Sequence, residues 1–132
     1  MTGAVTAPLY GRFHGKVVTV WLDSSGEDRR MCLHQDTDLV FEPPTGDPVP
    51  ALPGLEFDGA SIPVWAWPLM GSPFTGKYRK AAVIHDTLCF VKDRTPRECH
   101  YLMRQMCRSL GVGRFRATLI YWALLIGGSK WS

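Results

Sequence analysis

The sequence lacks several features, and each absence narrows what the chain can be. Its four cysteines, Cys32, Cys89, Cys99 and Cys107, form no C-x-x-C pair and no zinc-ribbon spacing, which argues against a zinc-stapled fold. Met1 to Leu9 hold no basic region followed by an apolar run, so no signal peptide is read there. Without that signal the case for disulfides loses its main support, and reduced thiols in the core are expected. The longest apolar run, Thr118 to Ile126, is far short of the roughly 20 residues that span a bilayer. Net charge is only +3 and no basic cluster stands out, which argues against a nucleic-acid partner. There is no internal repeat and no low-complexity tract. A soluble protein made in a cytoplasm is the expectation.

What is present fits one folded domain over residues 1–132, a length that buries a sizeable core without staples. Hydrophobic content of 45% and charged content of 20% are ordinary for such a domain. The five tryptophans favour a rigid core or an aromatic-lined groove.

Composition shifts near the middle. Residues 10–57 are rich in β-branched and turn residues. Phe13 to Asp23 reads as one strand, Ser24-Ser25-Gly26 as a turn, Arg29 to His34 as the returning strand of a hairpin, and Leu39 to Phe41 as a third strand. Four prolines between Pro43 and Pro50 forbid helix or central strand and predict an extended surface loop. Leu52 to Phe57 is extended again. Residues 58–76 form an aromatic turn and loop, with Asp58 to Pro63 as a tight turn and Trp65 and Trp67 as an apolar patch.

Residues 77–132 predict three helices. The first runs from about Lys77 to about Val91, with Ile84, Leu88 and Val91 on one face. The second starts at Thr95-Pro96-Arg97-Glu98, an N-cap, a first-turn proline and a capping box, and ends at Gly111. Its stripe is Cys99, Leu102, Met103, Met106 and Leu110. The third, from about Arg114 to about Ile126, is apolar on most faces and is expected in the middle of the domain, with Trp131 packing back. The fold class is therefore α+β: a small antiparallel sheet packed with a three-helix bundle.

The chemistry concentrates in Ala81 to Phe90, an apolar stretch holding His85 and Asp86. Such groups need partners or cost on the order of several kcal/mol. Helices one and two share a short loop near Lys92 and Asp93, and an antiparallel pair matches residues equidistant from its loop. That places His100 opposite His85. Asp86 lies about 100° round the helix from His85, and Cys89, at i+4, shares the His85 face. Two imidazoles and a carboxylate can hold a divalent metal with an open position for water. Equally, a histidine backed by a carboxylate is a general base. A structural hydrogen bond is the plain alternative. Asp58 and Ser61 read first as turn-holding residues, with Asp58 as a loop contribution to the site. Trp65, Trp67 and Trp122 read as core, and His14, His34, Asp36 and Asp38 as solvated strand-end groups.

Pro53 to Pro63 (with Asp58-Gly59-Ala60-Ser61-Ile62-Pro63), Ala81 to Phe90 and Tyr121-Trp122-Ala123 together resemble a small bacteriophage and prophage family filed as a domain of unknown function. Its members typically read T-D-G-A-S-I-P, then A-A-x-x-H-D-x-L-Y, then A-D-x-x-F. The resemblance spans about residues 10–131 and implies phage origin. This chain departs from it at Cys89, where the family has Tyr, and at His100, where the family's helix-two Asp falls. His100 can replace that Asp as a metal ligand. It cannot replace it as a negative charge. A weaker likeness is to secretory phospholipases, which carry H-D-x-C-Y on one helix and an Asp on the facing helix, with the His as base for water and the Asp binding calcium. It serves as analogy only.

Two functions are therefore expected to compete. One is a phage-encoded, hydrolase-type site acting on the bacterial envelope, with His85, Asp86 and Asp58 catalytic and His85, Asp86 and His100 as ligands to a zinc or calcium ion. The other is a non-enzymatic virion component, such as a tail or connector protein, made in the host cytoplasm and bound to other virion proteins.

Overall fold

A computed structural model describes residues 10–21, 31–57, 63–66, 68, 78–128 and 130–131. Among the described residues six short strands come first: β1 Arg12–His14, β2 Thr19–Trp21, β3 Met31–Leu33, β4 Val40–Glu42, β5 Val49–Pro50 and β6 Glu56–Phe57. A 3-10 turn, Val64–Ala66, precedes three helices: α1 Arg79–Val91, α2 Pro96–Ser109 and α3 Arg114–Gly127. The architecture is α+β, as expected.

The strands form two antiparallel three-stranded sheets rather than one. Their orders are β1-β4-β5 and β2-β3-β6. The stretch read as a single strand from Phe13 is therefore two strands in different sheets. Gly15 separates them at φ +83, a left-handed conformation that side chains rarely adopt. The expected hairpin exists, with Val20 opposite Cys32; its turn, residues 22–30, lies outside the described residues. The proline-rich segment yields only β5, at a sheet edge where Pro50 need not donate a ladder hydrogen bond.

Leu33, Leu39, Phe41, Val49 and Leu55 from the strands join Ile84, Leu88, Met103, Met106, Ile120 and Leu124 from the helices in one core. Phe13 and Phe41 pack with ring centroids 4.9 Å apart. Thr87 ties α1 to the sheet side: its Oγ1 accepts from Leu52 N at 3.3 Å and donates to Val83 O at 3.1 Å.

The helix order within the bundle corrects one expectation. Ala81, Ala82, Val83, Ile84 and His85 are buried in succession, so α1 is the enclosed helix, helped by two alanines that let neighbours approach. Helix α3 lies outside. It buries Ala117, Ile120, Ala123 and Leu124 but exposes Phe115, Trp122 and Ile126. Trp65 and Trp122 are exposed too, against the expectation that they are core, while Trp67 lies outside the described residues. Trp131 does pack back, donating from Nε1 to Arg94 O at 2.9 Å.

Helix α2 begins as its sequence specifies. Glu98 N donates to Thr95 Oγ1 at 3.2 Å, and Thr95 N donates to the Glu98 carboxylate at 3.1 Å. The Thr95 N–H, and after it the Thr95 hydroxyl donating at 2.9 Å, hold the Glu98 carboxyl below its usual range. Thr95→Ala is expected to destabilise the protein by about 1 kcal/mol. In a thermal melt that is a fall of about 3–5 °C.

Candidate functional site

The α1–α2 connection is short because Lys92, at φ 59, closes α1 in a left-handed cap and Thr95 opens α2 three residues later. The two helices return antiparallel, and their seam is lined by residues equidistant from that link. His85 Nε2 lies 2.9 Å from His100 Nδ1. The ring centroids are 5.1 Å apart and tilted by 41°. Relative exposure is 0% for His85 and 1% for His100. Cys89, one turn beyond His85, brings Sγ to 3.7 Å from His85 Nε2.

The protons can be placed by counting partners. His85 Nδ1 is buried and finds no hydrogen-bond partner among the described residues. If Nδ1 carried the proton, a buried N–H would be orphaned, which native proteins rarely allow. A lone pair without a donor costs less. The proton is therefore assigned to His85 Nε2, which donates to His100 Nδ1, leaving His85 Nδ1 as a bare acceptor. His100 and Asp86 each have a further interaction besides these.

Burial, and secondarily the adjacent His100, push the His85 pKa down to about 3. The ring is neutral throughout the physiological range. Burial likewise pushes the Cys99 thiol up to about 11, and all four cysteines are free. Cys89, Cys99 and Cys107 are buried thiols.

Asp86 is half-buried, one position round α1 from His85. Asp58 and Ser61 lie outside the described residues. His14, His34, Asp36 and Asp38 are exposed at strand ends, as expected. Hence His85 and His100 are brought together and Asp86 borders them. Sequence reasoning placed Cys89 on the His85 face but did not foresee it within reach of the same ring nitrogen. Its signal was the i+4 spacing.

For a metal, the donor geometry is informative. A tetrahedral zinc ion at 2.0–2.1 Å from two nitrogens sets them roughly 3.3 Å apart, both pointing at the ion. Here they face each other at hydrogen-bond distance. Among the described residues no group of three His, Cys, Asp or Glu side chains is arranged to hold a metal.

A sequence profile of the family described as "Protein of unknown function (DUF1353)" matches residues 34–124. The chain belongs to the DUF1353 family. The match takes in the strands from His34 onward, the α1–α2 hairpin with both histidines, and most of α3. Uncharacterized protein y4jT of Sinorhizobium fredii (strain NBRC 101917 / NGR234) is 35% identical over 129 residues, 98% of this chain but 38% of that protein. Uncharacterized protein y4iH of the same organism is 38% identical over 74 residues, 56% of this chain and 31% of that protein. This DUF1353 chain thus spans well under half the length of the curated relatives it matches. No solved structure matches it.

The depressed His85 pKa predicts a pH-dependent stability. The unfolded ring takes up a proton near the ordinary histidine value of 6.5, the folded ring only near about 3. Between those values the unfolded state binds more protons, so stability is full above about 6.5 and falls with acidification by roughly 1.4 kcal/mol per pH unit. Chemical denaturation between pH 8 and pH 4 is expected to show this slope, and His85→Gln to flatten it.

Proposed function

We propose that the DUF1353 domain of this chain carries a hydrolase-type site on the α1–α2 hairpin, with His85 as base for water and His100 as the group that orients it. One observation carries the reading: a histidine with one nitrogen held by the facing helix and the other buried without a partner among the described residues. A nitrogen kept proton-free in this way is what general-base chemistry requires, and such a base contributes about 10²–10⁴-fold. His85 Nδ1 would take a proton from water as the water oxygen bonds to an ester or amide carbonyl carbon of an envelope lipid or peptidoglycan; the tetrahedral adduct then breaks its C–O or C–N bond, and the leaving alcohol or amine takes that proton from His85. Asp86, with Asp58, would position the substrate or its counter-charge. The layout, base on one helix and orienting group on its antiparallel neighbour, parallels the secretory phospholipase analogy. Phage origin is part of the proposal and rests on the motif resemblance.

The depressed pKa makes His85 a weak base. His100 supplies no negative charge to strengthen it, where the resembling family has Asp. The proposal therefore expects a slow enzyme that His100→Asp accelerates by about tenfold or more, through a raised pKa of its partner. Fatty-acid release from phosphatidylglycerol vesicles and solubilisation of peptidoglycan sacculi are the assays. Activity on either, lost in His85→Asn, supports the reading. Inactivity of both the native protein and His100→Asp overturns it.

The metal form of the proposal sets zinc or calcium among His85, Asp86 and His100. An ion there would displace the proton that the rings share. Elemental analysis of purified protein is expected to show stoichiometric metal that His85→Ala removes; metal-free protein counts against this form.

The non-enzymatic reading, a virion tail or connector component, is favoured by a different observation: both rings are sealed from solvent, as a purely structural pair would be. It expects the protein in purified virions by mass spectrometry and no loss of assembly in His85→Asn.

A further inference from the structure

Helix α3 carries a second feature that the histidine pair does not involve. Phe115, Leu119, Trp122 and Ile126 follow at +4, +7 and +11, which puts them within about 60° of one another on a stripe about 16 Å long. Relative exposure is 77% for Phe115, 57% for Trp122 and 70% for Ile126. Trp65, itself 57% exposed, lies with its indole against Gly127 at the C-terminal end of the same helix. Any Cβ at Gly127 would stand 2.8 Å from that ring, so the glycine is what lets Trp65 pack against α3. Near the start of the helix, Phe115 and Trp122 border a shallow hollow with Arg114, Thr118 and Leu119. Isolated exposed apolar residues need no explanation, but a contiguous aromatic patch does.

Charge tells what would cover it. Five of the fifteen Lys and Arg, and none of the twelve Asp and Glu, lie from Cys99 onward, Glu98 being the last acidic residue. Of those five, Arg104 is spent on Thr118 Oγ1 at 3.2 Å, and Arg108 on Val112 O at 2.7 Å and on the Tyr10 ring. Arg114, Arg116 and Lys130 are exposed and flank the stripe at its two ends. A small net charge thus conceals a strongly basic end. Pairing the stripe with that of a second copy would bring like charges together. An apolar, aromatic helix face flanked by Arg and Lys is instead the pattern of helices lying in a bilayer interface, where each cation near anionic headgroups adds to binding.

We infer that the outward face of α3, with Trp65, binds the surface of a bilayer containing anionic lipid. The helix lies on the membrane; among the described residues no helix is long and apolar enough to cross one. This holds whether or not His85 is catalytic, because the surface is separate from the α1–α2 seam.

Co-sedimentation of the full chain with phosphatidylcholine vesicles, with and without 30% phosphatidylglycerol, tests it. Expected are binding to the anionic vesicles at least about tenfold tighter than to neutral ones, weakening with salt, and a blue shift of tryptophan emission. The triple variant F115S/W122S/I126S, shown folded by circular dichroism, is expected to lose binding, and R114E/R116E to lose the anionic preference. No binding to anionic vesicles overturns the inference, as does binding that the folded triple variant retains. A dimer in sedimentation velocity that the triple variant dissociates also overturns it, assigning the face to a second copy.

Discussion

The hydrogen bond between His85 and His100 is the constraint around which the helical half is arranged. It joins two rings buried in the seam, so its loss would leave two buried polar groups rather than one weakened contact. That asymmetry sets the register of α1 against α2. A shift by one residue along either helix would turn a ring out of the seam by about 100°. With the register set, Cys89 comes to lie beside the imidazole, Cys99 faces the α1 backbone at Leu88 O, and Thr87 points to the strands. Helix α3 is then laid against the far side of α2.

Much of this pairing was legible because it depends on local signals. The capping box at Thr95 and Glu98 fixes where α2 begins, the left-handed end of α1 fixes how short the link is, and equidistance does the rest. Less legible was which helix the domain encloses. Helix α3 is the more apolar in composition, yet its apolar residues divide between a packed face and an exposed one. Helix α1 is enclosed because Ala81 and Ala82 are small, a property that hydrophobic counts undervalue. The split of the sheet was equally hidden. Lys16 to Leu22 reads as continuous β-former, and only the backbone conformation of a single preceding residue reveals that the chain changes partners. At the site, the side of Asp86 could be argued from helix geometry, whereas the depth of burial of His85 depends on all the layers around it.

The molecule is also divided electrically. All twelve acidic residues lie at or before Glu98, and its last two helices, past the first turn of α2, carry only basic ones. Averaging over the whole sequence erased this division, which is why the small net charge suggested no charged partner. In the Sinorhizobium relatives the matched stretch occupies a minor share of a longer protein.

Gly15 shows how a surface position can be as constrained as a buried one. It is exposed, yet a Cβ there would run into the backbone of Asp38, and its left-handed φ disfavours any other residue. The same turn is pinned by Lys16 N donating to Asp38 Oδ1 at 2.7 Å. A side chain at this point would act at a distance. The chain would be pressed to run on as one ribbon, and β1 and β2 would compete for the same partner strand. Tolerance to substitution here is thus governed by topology rather than by accessibility, so a random-mutation map of this surface would show an isolated intolerant point with no contact to any candidate site.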